Sequence, residues 1–467
     1  MNNTAGLTAR TLLTGFAAGD VSPVEAVTDT LERIDRWNPQ LHAFLATSPD
    51  GALAAAREAE GRWARWRREG GAVPAGEQGW QRLPAWGAAV SVKDTIEQEG
   101  LPTTYGSLAF ADNHQPDALV VTLLRAAGCA LVGKTNTSEF ALSTVTANRL
   151  GPPTRNPWHL ARTAGGSSGG ASAAAALGLG TFALGTDSAG SIRLPAAYCG
   201  VYGLKPTLGA VPIRQRWRAS PVRSHLGPLA RSVDDLLYAW RVLTGDTAPV
   251  EPLEEPLRLK LVAGDPDHRG VLDEAVDVLG RHTRLATEET RLGELPSASS
   301  RAGDWIYAGD HLSAAEQLIP HFWERHGDDL TGYARPIYDA GRRVPAWEYR
   351  SALDAFERYG RDTQRHFDDA DVLLTSTTEA APVVDDEADP ADLGPRFPLL
   401  SVWNYTGNPA LVVPLTPGPD GLPRAVQLVG ALGADRTLLR LALTLARDGL
   451  VAEPAPEPVA EPAGRRA

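Results

Sequence analysis

The stretch "TAGGSSGGAS", Thr163–Ser172, packs four glycines and three serines into ten residues. Such a run reads in three ways: a flexible linker, a cradle for phosphate, or a turn in a catalytic centre. The sequence on either side narrows the choice. "GGASAAAALGLG" (169–180) reads as a helix of small residues, and "FALG" (182–185) as a short buried strand. The run therefore opens a helix inside an ordered core.

Outward from this stretch the same texture repeats. "AAVSV" (88–92), "ALVG" (130–133), "VLLTS" (372–376), "ALVVPL" (410–415) and "AVQLVG" (425–430) are apolar and β-prone. "DALVVTLLRAAG" (117–128) and "SVDDLLYAWRVLTG" (232–245) read as helices. Buried strands alternating with helices predict an α/β fold with helices on both faces of its sheet. The first 70 residues read as helical. "SPVEAVTDTLERIDRW" opens with a capping box, Ser22 to Glu25, and Pro23 at its first helical position. A second helix ends near Gly70 and carries five Arg against three Glu over residues 57–69. Its Trp63 and Trp66 are expected to pack inward beneath a solvated basic face. Residues 300–370 read as mostly helical. The expected organisation is one large domain over residues 1–452: a helical start (1–70), a core (85–245), a variable helical region (300–370) and a closing core (371–450). The tail, 453–467, is Pro/Glu/Ala-rich and expected to be disordered.

The chain has 467 residues and a formal net charge of -12. So acidic a surface repels nucleic acid and anionic membranes. Two cysteines, Cys129 and Cys199, make no disulfide framework and fit a reducing cytoplasm. No apolar run reaches the ~18 residues a spanning helix needs. "MNNTAGLTAR" lacks a signal peptide's charged and apolar regions. These features predict a cytoplasmic protein with no nucleic-acid partner and no transmembrane segment, and they leave a homodimer open.

Three motif matches fail on context. "GCALVGKT" (128–135) fits a nucleotide-binding loop, but its middle residues are an apolar strand and Gly128 caps a preceding helix. "GSSGG" (166–170) fits a nucleophile elbow centred on Ser168, but an elbow needs a strand before it, and "RNPWHLARTAG" does not read as one. His321 and His326 stand five apart and do not share a helix face.

Three segments remain. "AVSVKDT" puts Lys93 at the end of an apolar strand, "AGGSSGG" opens its helix, and "LGTDSAGSIRLPAAYCG" (184–200) holds Ser191. Taken singly, each reads as a solvated strand end, a loop or a tight turn. Jointly they imply more. Ser167 and Ser191 lie 24 residues apart (191 − 167), which lets a helix and a strand return both to one end of the sheet. A serine hydroxyl needs a base to become a nucleophile. No histidine stands beside these motifs, so the Ser-Lys variant is the natural substitute. Burial at a strand end disfavours charged lysine and lowers its pKa, whereas arginine stays protonated.

In this order the segments resemble the amidase signature family, serine amidohydrolases with a Ser-Ser-Lys triad. "GKTNTSEFA", "GPPTRNPW", "NYTGNPALVVPL" and "GLPRAVQLVG" extend the resemblance over almost the whole chain. It implies a single large α/β domain with a mixed, mostly parallel central sheet and hydrolysis of a small-molecule carboxylic amide without cofactor or metal. It assigns Lys93 as general base, Ser167 as proton relay after a cis Gly166–Ser167 bond, and Ser191 as nucleophile. The backbone N–H groups of Ser188, Ala189, Gly190 and Ser191 become oxyanion donors, with Ser168, Thr186, Asp187 and Arg193 in support. This chain has Ala189 where relatives usually have Gly, and the added methyl would disfavour a positive φ or crowd the acyl group. Arg424-Ala425 replaces the frequent Val-Gly. The pocket walls are expected from 70–86, 215–225 and 300–370, with Trp305, Tyr307, Trp323 and Tyr338 as aryl candidates that equally suit a core. The same motifs fit the A subunit of a tRNA-dependent amidotransferase, an acyl-transferring amide synthase, or a catalytically silent binding homologue. "ASPVRSHLGPLARS" (219–232) departs from that subunit's usual Ser-Ser-Leu-Asp and favours a stand-alone enzyme.

Overall fold

The computed structural model describes residues 4, 6–262, 269–285, 289–292, 302–377 and 398–449. Eleven strands form one sheet: β1 (Phe44–Thr47), β2 (Ala89–Lys93), β3 (Ala130–Thr135), β6 (Phe182–Asp187), β7 (Tyr202–Lys205), β8 (His225–Ala230), β9 (Leu257–Leu261), β10 (Thr283–Leu285), β11 (Val372–Ser376), β12 (Ala410–Leu415) and β13 (Arg424–Gly430). Their order is β1-β3-β2-β6-β8-β7-β12-β13-β11-β9-β10. The sheet is mixed. Parallel pairs join β2 to β3 and β6, and β9 to β10 and β11. Antiparallel pairs run through its middle, from β6 to β11. β7 borders β12, so early and late segments share one sheet and the chain forms one α/β domain.

The strands alternate between two helical layers, as period-2 geometry requires. Val90, Val92, Leu131, Phe182, Leu184, Leu411 and Val413 face helices Ala9–Ala18, Leu119–Ala126, Val233–Thr244 and Asp435–Arg447. Ala89, Ala130, Val132, Ala183 and Val412 face helices Pro23–Leu41, Gly169–Ala176 and Arg193–Cys199. This second face is lined by smaller side chains, and the Gly-Ala helix lies close upon it. A Cβ on Gly170 would come within 2.5 Å of Ala43 O and Asn136 N, so only glycine fits there. Lys93 continues the alternation of Ala89 and Ser91 and falls on this face, towards the serines that open the helix.

The capping box forms: Ser22 Oγ accepts from Val24 N and Glu25 N, and Glu25 accepts from Ser22 N. Trp63 is buried, donates its indole N–H to Trp86 O at 3.0 Å and meets Trp66 edge-on. Residues 302–364 are largely helical. The expected tail at 453–467 lies outside the described residues.

One expectation is corrected. "RNPWHLARTAG" does contain strands: β4 (Arg155–Asn156) and β5 (His159–Thr163) form a separate hairpin. It shows no apolar alternation because side chains hold it. Asn156 donates to Tyr198 O at 2.8 Å and Trp158 to Cys199 O at 2.9 Å.

Candidate active site

Lys93 ends β2 fully buried. Its Nζ lies 2.7 Å from Ser167 Oγ, 2.9 Å from Ser168 Oγ and 2.8 Å from Thr186 Oγ1. Desolvation holds its pKa well below the ordinary lysine value, against the opposing charge of Asp187. Ser167 follows a cis peptide bond from Gly166 and is itself fully buried. Ser168 precedes helix Gly169–Ala176, and its hydroxyl donates to Thr186 O at 3.1 Å. Thr146 ties this turn down: its hydroxyl lies 2.9 Å from Gly165 O and accepts from Gly169 N at 2.9 Å.

Ser191 sits in the loop between β6 and helix Arg193–Cys199 and is half-buried. Its carbonyl accepts from Ser168 N at 3.2 Å, joining the two serine segments through the main chain. Asp187 organises this loop. Its carboxylate accepts from Gly190 N at 2.7 Å, Ile192 N at 3.1 Å and Arg193 Nε at 2.9 Å. Burial alone would raise the Asp187 pKa. The Arg193 charge, with hydrogen bonds from Arg193 and Asn404, outweighs it and holds the carboxyl well below its usual range. Two expectations change here. The Gly190 N–H points to Asp187 and is not open to an oxyanion, because the carboxylate pulls it inward. The backbone N–H groups of Ser188, Ala189 and Ser191 make no hydrogen bond within the described residues. Ala189 is exposed and keeps a negative φ, while Gly190 takes φ +111°, so the methyl at 189 meets no left-handed strain.

Arg193 spans the molecule. It reaches Gln427 Oε1 and Asn404 Oδ1 at 2.6 Å each, and Asn404 Nδ2 returns to Asp187 Oδ1 at 2.8 Å. Asn404, Gln427 and Thr146 were not singled out from sequence. Gln427 carried a signal, a lone polar residue inside the apolar run "AVQLVG". Nor is the site free of histidine. His225 on β8 is registered against Asp187 on β6, and its Nδ1 lies 2.9 Å from Arg223 O and 3.3 Å from Asp187 O. Linear distance from the serine segments hid it. Burial, with the nearby charge of Lys205, holds its pKa well below the ordinary value despite Asp187, so the ring is neutral.

Beside this loop lies a narrow cavity of about 10 Å³, room for roughly one water molecule, bordered by Thr186, Ser188, Gln215, Trp217, Arg218 and His225. Segment 215–225 thus supplies much of its wall, whereas no described residue of 70–86 or 300–370 borders it. Tyr338 is fully buried in an aromatic cluster with Phe140 and Phe322 instead. Trp323 packs against that cluster and takes Arg342 over its ring at 5.0 Å. The side chains of Trp305 and Tyr307 lie outside the described residues. Lys134 of the loop-like "GCALVGKT" is a buried strand residue paired with Asp94 at 2.9 Å. His326 meets Asp329 at 3.1 Å, and no group of His, Cys, Asp and Glu suited to a metal occurs among the described residues.

A profile of the family described as Amidase matches residues 25–256 and 325–439. AmiB2 of Mycobacterium tuberculosis, an amidase by name, is 35% identical, over 88% of this chain and 89% of its own. The A subunit of the glutamyl-tRNA(Gln) amidotransferase of Chloroflexus aggregans is 32% identical, over 93% and 95%. The native peptide amidase of Stenotrophomonas maltophilia superposes with a TM-score of 0.82 at 25% identity, covering 97% and 99%. The chain belongs to the amidase signature family and is an amide-hydrolysing enzyme of that class.

Proposed function

We propose that the chain hydrolyses a small carboxylic amide through an acyl-enzyme on Ser191, with Ser167 relaying the proton to Lys93. The observation that carries this reading is the enclosed Lys93 amine among three hydroxyls. A neutral amine has two N–H donors and one lone pair. Ser168 already gives its proton to Thr186 O, so towards Lys93 it accepts. Thr186 Oγ1 takes the second N–H. The lone pair is left for the Ser167 O–H, which hands its proton to Lys93 as it takes one from Ser191. Ser191 Oγ then attacks the carbonyl, and the oxyanion forms against the N–H groups of Ser188, Ala189 and Ser191. Return of the proton to the leaving nitrogen releases ammonia or an amine, and water repeats the path to free the acid.

Expulsion of ammonia from a panel of primary, aryl and peptide amides by the purified chain alone tests this. The likeness to an amidotransferase component favours a second reading, in which the same acyl-enzyme supplies ammonia to partner subunits. Turnover that appears only with partner subunits would select it.

A further inference from the structure

Each of the three open N–H groups in the nucleophile loop, on Ser188, Ala189 and Ser191, is aimed from the far side of its own peptide. In a trans peptide unit the C=O of one residue and the N–H of the next point in opposite directions. The cis bond among the described residues is Gly166–Ser167, outside this loop. Whatever holds the preceding carbonyl therefore sets the N–H. Asn404 Nδ2 donates to Asp187 O at 3.0 Å, which sets the N–H of Ser188. Leu194 N donates to Gly190 O at 2.7 Å, which sets that of Ser191. The third carbonyl, Ser188 O, accepts from Arg223 Nη1 at 2.9 Å, which sets that of Ala189.

Arg223 differs from the other two holders in being a fully buried cation, on the segment that leads into β8. Its Nε lies 3.7 Å from Asp310 Oδ2, and its guanidinium carbon stands 5.9 Å from the centre of the Tyr405 ring. Asp310 is buried on helix Ala302–Leu318, and Tyr349 of helix Ala346–Gln364 donates to its Oδ1 at 2.6 Å. A charge taken out of water needs a partner that compensates it, and Asp310 is that partner. The guanidinium is planar and rigid, so an anchor at Nε also fixes where Nη1 points.

We propose that Arg223 is a positioning residue for the reaction: it turns the Ser188–Ala189 peptide so that the Ala189 N–H meets the oxyanion, and Asp310 holds it in place. This rests on the hydrolase reading above. Its action runs through the peptide, which lies between it and the oxyanion. Its charge adds to the aim, because a cation at the carbonyl oxygen polarises the amide and strengthens the N–H as a donor. The helical region 302–364 thereby contributes to the chemistry through Asp310 and Tyr349, by holding the residue that aims the donor.

The test measures kcat and KM of the full chain, wild type and Arg223→Gln, on the amide of the panel turned over fastest, with the end-point of fluorophosphonate labelling counting intact sites. A misaimed donor should lower kcat per labelled site about 10–100-fold, less than the ~10²–10³ for a donor removed outright. KM should move by less than about threefold, since the interaction is made in the transition state. Arg223→Lys keeps the charge without the fork and should fall between. Asp310→Asn should lower kcat several-fold in the same direction. A purely structural role would reduce the labelled fraction and leave kcat per labelled site unchanged, which overturns the proposal, as does a loss carried by KM alone. Should Arg223→Gln yield no labelled chain, Asp310→Asn, which retains the arginine, decides by the same criterion. If the wild type turns over no amide, the hydrolase reading fails, and the rate of Ser191 labelling decides instead, because the phosphoryl oxygen uses the same N–H groups. Slowing by about tenfold or more in Arg223→Gln sustains the proposal, and an equal rate overturns it.

Discussion

The amine of Lys93 lies 2.7 Å from the hydroxyl of Ser167, and both side chains are fully enclosed. Enclosure makes the neutral amine the stable form. Lysine acts as a base only when neutral, so activity rises with pH through its lowered pKa and levels off well below 10.5. The pH profile of kcat/KM, under conditions where chemistry limits the rate, should show this single ascending limb. Lys93→Arg keeps a cation that cannot deprotonate and should lower kcat by about 10²–10⁴. A flat profile would remove Lys93 as the base.

Ser191 and Ser168 have different work. Ser191→Ala should abolish covalent labelling by a fluorophosphonate. Ser168→Ala should leave labelling measurable, because Ser168 holds Lys93 and Thr186 and does not attack. Mass spectrometry of the labelled chain decides between them, and loss of label only in the Ser168 variant would restore the elbow reading.

The buried pair of Arg193 and Asp187 should be costly to break. Arg193→Met leaves the Asp187 carboxylate enclosed without its cation, a change worth about 3–5 kcal/mol in comparable pairs. Denaturant unfolding should show that loss. Asn404→Leu should disturb the same loop more mildly, since Arg193 still holds Asp187, and should lower kcat more than it raises KM.

Asp235 links two helices by accepting from Ala9 N at 2.6 Å, and burial lifts its pKa to about 7. A carboxyl raised in the folded state keeps a proton that the unfolded chain has already released. Its contribution is therefore fully present below the usual carboxyl range and is lost as pH rises towards and through 7. Asp235→Asn should flatten that loss, which is on the order of a few kcal/mol. Thermal unfolding of both proteins from pH 4 to 8 measures it.

The central helices and strands could be read directly because each repeats its own period: apolar β-runs at Ala89–Lys93 and Ala410–Leu415, and a capping box at Ser22. Lys93, Ser167 and Ser191 were legible as residues because their neighbours are unusual in composition and lie close in sequence. The β4–β5 hairpin was not, since Asn156 and Trp158 hold it by side-chain bonds that leave no pattern.

The sequence by itself determined the residue types, the segments and the order that mark an amidase signature chain. Tertiary structure decided which of those groups are free to react. It turned the Gly190 N–H onto Asp187, brought Asn404 and Gln427 to Arg193 from more than 200 residues away, and set His225 beside the loop. The physical reason is that a hydrogen bond depends on where a donor points after folding. Sheet register and burial set that direction, and neither is local in the chain.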